Sequence, residues 1–115
     1  MELYLAKTME NMKMYGPTYD LTMESEDRVE LFKFGSKEND WLMNNLIDMI
    51  NAECNTLLDD GDYDFIDAHG CENLLKCLGK VNLADASKEV TQLIRKMEEY
   101  ATRAIELKTG IAIDL

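Results

Sequence analysis

Basic side chains are missing from the middle of this sequence. No lysine or arginine lies between Glu38 and Leu75, whereas residues 1–37 contain five and residues 76–115 contain seven. The same stretch, which we call the acidic segment, contains ten acids: Glu38, Asp40, Asp48, Glu53, Asp59, Asp60, Asp62, Asp64, Asp67 and Glu72. The formal net charge of −11 is therefore concentrated in one region. Because affinity for nucleic acid comes mainly from lysine and arginine, we expect no direct binding to nucleic acid, and an anionic membrane surface is also disfavoured.

Long apolar runs and a disulfide framework are absent as well. No segment approaches the length needed to span a bilayer, and residues 1–7 lack the pattern of a secretory signal, so we expect a cytoplasmic protein. The three cysteines are odd in number, which suits reduced thiols in a core. With 115 residues, of which 46% are hydrophobic, we expect one domain over residues 1–115 with a single core.

Hydrophobic periodicity predicts the secondary structure of the first third of the chain. Apolar residues at helical spacing predict an N-terminal helix over residues 2–14, which Gly16 and Pro17 end. Apolar and polar residues then alternate over 18–24 and over 28–34, around a short polar turn. This pattern predicts a β-hairpin.

Helical periodicity dominates the remainder of the chain. We predict a helix from Ser36 to about Leu58, a short helix over 72–78 and a last helix from Asn82 to about Lys108. The last helix has one apolar stripe, formed by Leu83, Ala86, Val90, Leu93, Ile94, Met97, Ala101, Ala104 and Ile105. Residues 111–113 form either a short edge strand or an irregular tail.

These elements predict a helix-rich α+β fold. In it the N-terminal helix and the β-hairpin pack on two long helices, with a short helix between them. An all-α bundle is the alternative if residues 18–34 prove irregular.

Calcium binding is the first chemistry to test against the acidic segment. Asp60, Asp62 and Asp64 match the first three ligand positions of an EF-hand loop. Phe65 stands where that loop needs glycine, and Cys71 stands where it needs a bidentate glutamate. We therefore expect no dedicated metal site, with calcium sensing as a minor alternative.

Zinc binding and catalysis are also poorly matched. His69, Cys71 and Cys77 do not have the spacing of a zinc finger or knuckle. A nucleophile made of Cys71 and His69 would need a third group to orient the base, which the sequence does not indicate. No phosphate-binding loop, nucleophile elbow or nucleotide fingerprint is present. We expect no cofactor and no enzymatic activity.

Two features of the acidic segment point instead to recognition of a partner. Trp41 falls on the polar side of its predicted helix, and an exposed aromatic is a common component of a binding hot spot. Asp59 and Asp60 follow the carboxyl end of that helix, where the helix dipole favours bases, and sequences tend to keep such conflicts where function requires them. Capping of the next helix by Asp64 or Asp67 would explain part of this conflict.

We therefore expect a small acidic inhibitor that docks on a basic, nucleic-acid-handling protein and takes the place of phosphates there by charge complementarity. Its manner of action would be like that of immunity proteins against nuclease toxins, or of phage anti-CRISPR proteins against CRISPR effectors. The chain shares only size, acidity and the lack of a catalytic motif with them. The predicted partner-binding residues are Trp41, Asp48, Asp59, Asp60, Asp62, Asp64 and Asp67.

Two other interpretations stay open at this point. The acids can serve solubility alone. The chain can also be a non-catalytic assembly or adaptor subunit, for example a homodimer, which shares the apolar stripe of its last helix with a partner.

Overall fold

In the computed structural model, which describes residues 1–115, two helices, α3 and α4, pack on one face of a four-stranded antiparallel sheet with the strand order β4-β1-β6-β5, and α1 and α2 pack against these two helices. The elements are β1 (Glu2–Ala6), β2 (Met14–Tyr15), β3 (Thr18–Tyr19), β4 (Val29–Lys33), α1 (Ser36–Asn45), α2 (Ile47–Cys54), β5 (Tyr63–Asp67), α3 (Ala68–Gly79), α4 (Lys88–Leu107) and β6 (Gly110–Asp114). The predicted helix-rich α+β class is confirmed. No helix is both long enough and apolar enough to cross a bilayer.

The predicted N-terminal helix is wrong, because residues 2–6 form the inner strand β1. Leu3 and Leu5 belong to the core on the helical face, whereas Tyr4 and Ala6 belong to a smaller cluster on the opposite face. β1 pairs with β4 on one side and with β6 on the other. Burial on both faces removes the polar alternation that identifies a strand, so the local pattern resembled a helix.

The predicted hairpin of 18–24 with 28–34 is also wrong in its pairing. Residues 29–33 form β4, but its neighbour is β1, while Thr18–Tyr19 pairs with Met14–Tyr15 around Gly16, which has a φ of +61°. The long connection from β1 to β4 crosses the sheet on the face opposite the helices. Met12 and Leu21 are buried there. This loop therefore covers the apolar residues on this face of the sheet, as the helices cover those on the other face.

The helix predicted from Ser36 to Leu58 is divided in two and is shorter than expected. Gly35 is the N-cap of α1, and Leu46 leaves helical geometry, with φ −136° and ψ −34°, between α1 and α2. Leu46 is only 1% exposed, so it stays in the core at this break. Asn55 adopts the left-handed conformation, with a φ of +56°, and ends α2 after Cys54.

The short helix predicted over 72–78 is present within α3, which ends at Gly79 as expected. The last helix, α4, begins at Lys88 rather than Asn82, because Ser87 is its N-cap and the Ser87 hydroxyl accepts a hydrogen bond from the Val90 amide.

The apolar stripe of α4 packs against other elements of the same chain. The stripe residues within the helix pack against the sheet and the other helices. Ile105 is partly buried, and the stripe residues that are less than 5% exposed are Val90, Leu93, Ile94, Met97, Ala101 and Ala104. This face is not available to a partner. Residues 111–113, expected at an edge or in a tail, lie in β6 between β1 and β5. Their complete burial explains why Ile111, Ala112 and Ile113 show no strand alternation.

Candidate functional site

The acidic segment folds into α1, α2, a connection over residues 55–62, β5 and the first part of α3. The connection is anchored by one side chain of α2. The Asn51 side-chain carbonyl accepts hydrogen bonds from the Thr56 hydroxyl at 2.6 Å and from the Leu58 amide at 2.8 Å. The Asn51 side-chain amide donates to the Leu58 carbonyl at 2.8 Å. Asn51 thus holds the chain where it leaves α2.

Two further side chains fix the same connection from outside it. The Asp64 carboxylate on β5 accepts from the Leu57 amide at 3.1 Å and from the Phe65 amide at 2.8 Å. The Asn39 side-chain amide on α1 donates to the Asp60 carboxylate at 2.9 Å. These bonds join three elements of the acidic segment into one surface. A surface held in this way loses little conformational freedom when a partner binds.

The tip of the connection is a tight turn over Asp59, Asp60, Gly61 and Asp62. The Asp62 amide donates to the Asp59 carbonyl at 3.0 Å, and Gly61 has a φ of +83°, a conformation that favours glycine. The Asp62 carbonyl in turn accepts from the Leu115 amide at 2.9 Å. All three aspartates of this turn are exposed.

Leu57 is the most exposed large apolar side chain of the protein. Its exposed fraction is 87%, although Thr56 and Leu58 on either side are buried. The predicted helix extends to about Leu58 and so includes Leu57, whereas α2 ends at Cys54, three residues earlier. The signal that could have located it is Asn55, a residue type that accepts the left-handed conformation and commonly ends helices.

The predicted partner-binding residues divide into two groups in the structure. Asp48, Asp59, Asp60 and Asp62 are exposed; Asp48 lies on α2, and the other three lie in the turn over residues 59–62. Asp64 and Asp67 have roles within the fold. Asp64 holds the connection, and the Asp67 carboxylate caps α3 by accepting from the Gly70 amide at 2.7 Å. The acid expected to cap the next helix is therefore Asp67.

Trp41 does not have the exposure expected of it. It is half-buried and packs against the main core. The predicted helical wheel assumed one straight helix, and the break at Leu46 changes which residues of α1 and α2 share a face. Leu57 therefore takes the place of Trp41 as the apolar group most accessible to a partner.

The carboxylates of this surface have no basic neighbour. Four of the five ion pairs within 4 Å join residues outside the acidic segment, and the fifth joins Glu72 to the exposed His69 at 3.8 Å. A groove of about 840 Å³ lies beside the surface, and its acidic lining residues are Glu53, Asp64 and Asp67, with His69 among the others. The negative charge seen in the sequence is therefore not neutralised by folding.

The three cysteines are free; Cys54 is the last residue of α2, and Cys71 and Cys77 lie in α3. Burial raises the pKa of Cys54 and of Cys71 to about 12, so both thiols are protonated at neutral pH and are weak nucleophiles. The Cys71 thiol donates to the Ile66 carbonyl at 3.8 Å, and His69 points to Glu72 instead. No three histidine, cysteine, aspartate or glutamate side chains lie close enough together to hold a metal ion.

The arrangement is thus a preorganised acidic surface with one exposed apolar side chain, built by Asn39, Asn51 and Asp64. Such a surface is suited to a basic protein partner. No protein-family model, curated protein or solved structure matches this chain.

Proposed function

We propose that this protein is a non-catalytic inhibitor that binds a basic, nucleic-acid-handling protein through the surface around Asp48, Leu57 and the 59–62 turn. The observation that carries the proposal is the absence of any lysine or arginine within ion-pairing distance of these carboxylates, on a turn that the fold holds rigid. Repulsion among uncompensated acids destabilises the folded chain by itself and favours binding of a cationic surface.

The charges and the apolar side chain have different parts in this proposal. Exposed carboxylates accelerate encounter with a positive cleft and fix its orientation. Leu57 supplies an apolar contact from which water is excluded on binding. Contacts of this kind at the centre of an interface contribute most of the binding energy. The neighbouring groove, which has no lysine or arginine in its lining, has room for lysine or arginine side chains of the partner.

The expected partner binds phosphates with the cleft that this surface occupies. A nuclease toxin or a CRISPR effector has such a cleft, and an acidic protein seated there excludes the nucleic acid. In this proposal the protein acts in the cytoplasm, as an immunity protein or an anti-CRISPR protein does, and does not itself bind nucleic acid or a membrane.

The test is a binding and inhibition assay against a panel of purified nuclease toxins and CRISPR effectors, with salt as a variable. The test variant carries Asp59→Asn, Asp60→Asn and Asp62→Asn. The matched control carries Glu89→Gln, Glu98→Gln and Glu106→Gln on α4, which are exposed, form no ion pair and change the net charge equally.

We expect wild type and the α4 control to bind one panel member and block its nuclease activity at equal stoichiometry. The turn variant should bind about tenfold more weakly or worse, and its affinity should depend less on salt. Equal affinity of the two variants, or an affinity indifferent to salt, would contradict the proposal.

Leu57→Ala tests the apolar contact separately. Because Leu57 is exposed in the free protein, the free energy of unfolding should change by less than about 0.5 kcal/mol. Affinity should fall by about tenfold or more if Leu57 is at the centre of the interface. Unchanged affinity would leave the charges as the only contact and would remove Leu57 from the proposed surface.

A further inference from the structure

The sheet has two outer edges, and the fold protects only one of them. At the β5 edge, the Phe65 amide is occupied by the Asp64 carboxylate at 2.8 Å. The Tyr63 hydroxyl donates to the Tyr19 carbonyl at 2.7 Å and accepts from the Leu21 amide at 2.9 Å, which holds the 7–28 loop against this edge. Tyr19 also packs edge-to-face on Phe65. β5 is therefore covered.

At the β4 edge, backbone groups point away from the sheet without a partner strand. The Phe34 amide donates to the Met1 carbonyl at 3.0 Å, and the Lys7 amide donates to the Arg28 carbonyl at 2.8 Å. In the antiparallel ladder with β1, residues 28, 30, 32 and 34 thus face β1, and the alternate residues direct their backbone groups outward. The Val29 amide bonds to the Ser25 carbonyl, but no strand pairs with Leu31 or Lys33.

Unlike the acidic segment, this edge is electrically balanced. Four acids and four bases line the groove of about 600 Å³ beside β4 or contact its side chains; these are Glu2, Glu24, Glu26, Glu30, Lys7, Lys33, Lys96 and Arg103. Leu31 is 45% exposed in the middle of the strand. An edge strand with an exposed apolar centre and no net charge is suited to pairing with another strand.

We infer that β4 pairs with β4 of a second copy of this chain, antiparallel, about a two-fold axis at Leu31. In this register the two Leu31 residues exchange both backbone hydrogen bonds, and the Lys33 amide donates to the Val29 carbonyl of the other copy. The result is a continuous eight-stranded sheet from two four-stranded ones. The contact is self-complementary, as a two-fold interface requires.

The side chains favour this occupant and this register. Glu30 lies opposite Phe32 of the other copy, and Lys96 lies 5.7 Å from the centre of the Phe32 ring, so each Glu30 gains a cation across the interface. On the other face, Leu31 contacts Leu31, and Lys33 lies opposite Val29, beside the groove that Glu24 and Glu26 line. Centring the axis on Glu30 instead would place two carboxylates directly opposite each other, which is unfavourable.

The acidic surface does not prevent this association. The turn before β5 is three strand spacings from β4, roughly 14 Å, and charges interact weakly in water beyond about 8 Å at physiological ionic strength. Added salt should therefore change the dimer little, because it screens both the attractions across the interface and the net repulsion, whereas it should clearly weaken binding at the acidic surface. This difference in salt dependence separates the two proposals, so that either can fail alone.

The experiment is sedimentation velocity on the full chain over a range of protein and salt concentrations. Wild type should form a concentration-dependent dimer. Leu31→Lys places two ammonium groups at the two-fold axis and should raise the dissociation constant about tenfold or more. Leu57→Lys, an equal change at an exposed residue away from β4, should dimerise like wild type.

Hydrogen exchange supplies the second measurement. The Leu31 and Lys33 amides should be protected in the wild-type dimer and exchange fast in folded, monomeric Leu31→Lys. A wild-type chain that stays monomeric at millimolar concentration overturns the inference and leaves the edge to other extended chains. A dimer that survives Leu31→Lys, or in which these two amides stay unprotected, overturns it as well.

Discussion

Carboxylates on the two sides of this molecule have different partners. Next to β4, Glu30 accepts from Arg103 at 2.7 Å and Glu24 from Arg28 at 3.1 Å. In the turn before β5, Asp59 and Asp62 have no basic side chain within reach. The comparison teaches that acidity alone does not identify a recognition surface, because some of the acids here form ion pairs and others hold the backbone. What distinguishes the turn is charge that folding leaves unpaired on backbone that folding makes rigid.

The largest effect should come from loosening the turn without changing its charge. Asn51→Ala leaves the buried Thr56 hydroxyl and the Leu58 backbone without partners, so the free energy of unfolding should fall by about 2 kcal/mol. Urea unfolding measures this. Asn44→Ala, at an exposed position of α1, is the control and should have little effect. A loss as small as that of the control would mean that the acidic surface is not held as we describe.

A smaller loss of stability should distinguish an aspartate that caps a helix from an aspartate of the exposed turn. Asp67→Ala removes the N-cap of α3 and should lower the free energy of unfolding by about 1 kcal/mol. Asp62→Ala removes an equal charge from the turn and should change stability by no more than about 0.5 kcal/mol. Thermal unfolding of the two variants side by side tests the division; equal losses would contradict it.

The ion pair between Glu30 and Arg103 should stop contributing to stability at low pH. The hydrogen bond from Arg103 holds the pKa of Glu30 below its usual value, so this pair contributes stability above the unfolded pKa of 4.5. That contribution is lost as pH falls through the folded pKa. Arg103→Met should therefore lower the free energy of unfolding at pH 7 by less than about 1 kcal/mol, because the pair is partly exposed. The difference in melting temperature between wild type and Arg103→Met should disappear in acid. A difference that persists at low pH would indicate lost packing instead.

The smallest effect should be a gain of stability at neutral pH, in contrast to the losses expected for the variants above. Burial and the neighbouring Glu2, its cross-strand partner, raise the pKa of Asp114 above 3.8. A raised carboxyl pKa contributes stability that is present below 3.8 and lost as pH rises through the folded pKa. Asp114→Asn should thus raise the melting temperature at neutral pH and lose this advantage in acid. Asp62→Asn, with the same change of charge, controls for the general effect of reduced acidity.

The helices of the second half could be predicted in large part because their evidence is local. The stripe of α4 recurs at helical spacing, and Asp67 and Gly79 bracket α3 with ordinary capping and ending residues. The strands could not be predicted as easily. β1 and β6 are buried on both faces, so no alternation marks them, and their pairing joins the two ends of the chain.

The sequence predicted the acidic residues of the candidate surface, but it did not predict which apolar side chains are exposed there. The run without bases located Asp48, Asp59, Asp60 and Asp62, which are exposed in the structure as expected. The expectation for Trp41 was wrong in exposure, and Leu57 was missed, since both depend on where α1 and α2 break and end. Those points are set by burial of Leu46 and by bonds from Asn51, which join residues through the fold.

The sequence by itself determined the distribution of charge, the helical stripe and the free thiols, because composition and short-range periodicity are properties of neighbouring residues. The tertiary structure alone decided which acids are paired, which apolar side chain is exposed and which sheet edge is left open. These depend on contacts between distant segments, such as Glu30 with Arg103 and Tyr63 with the 7–28 loop, and no local pattern encodes them.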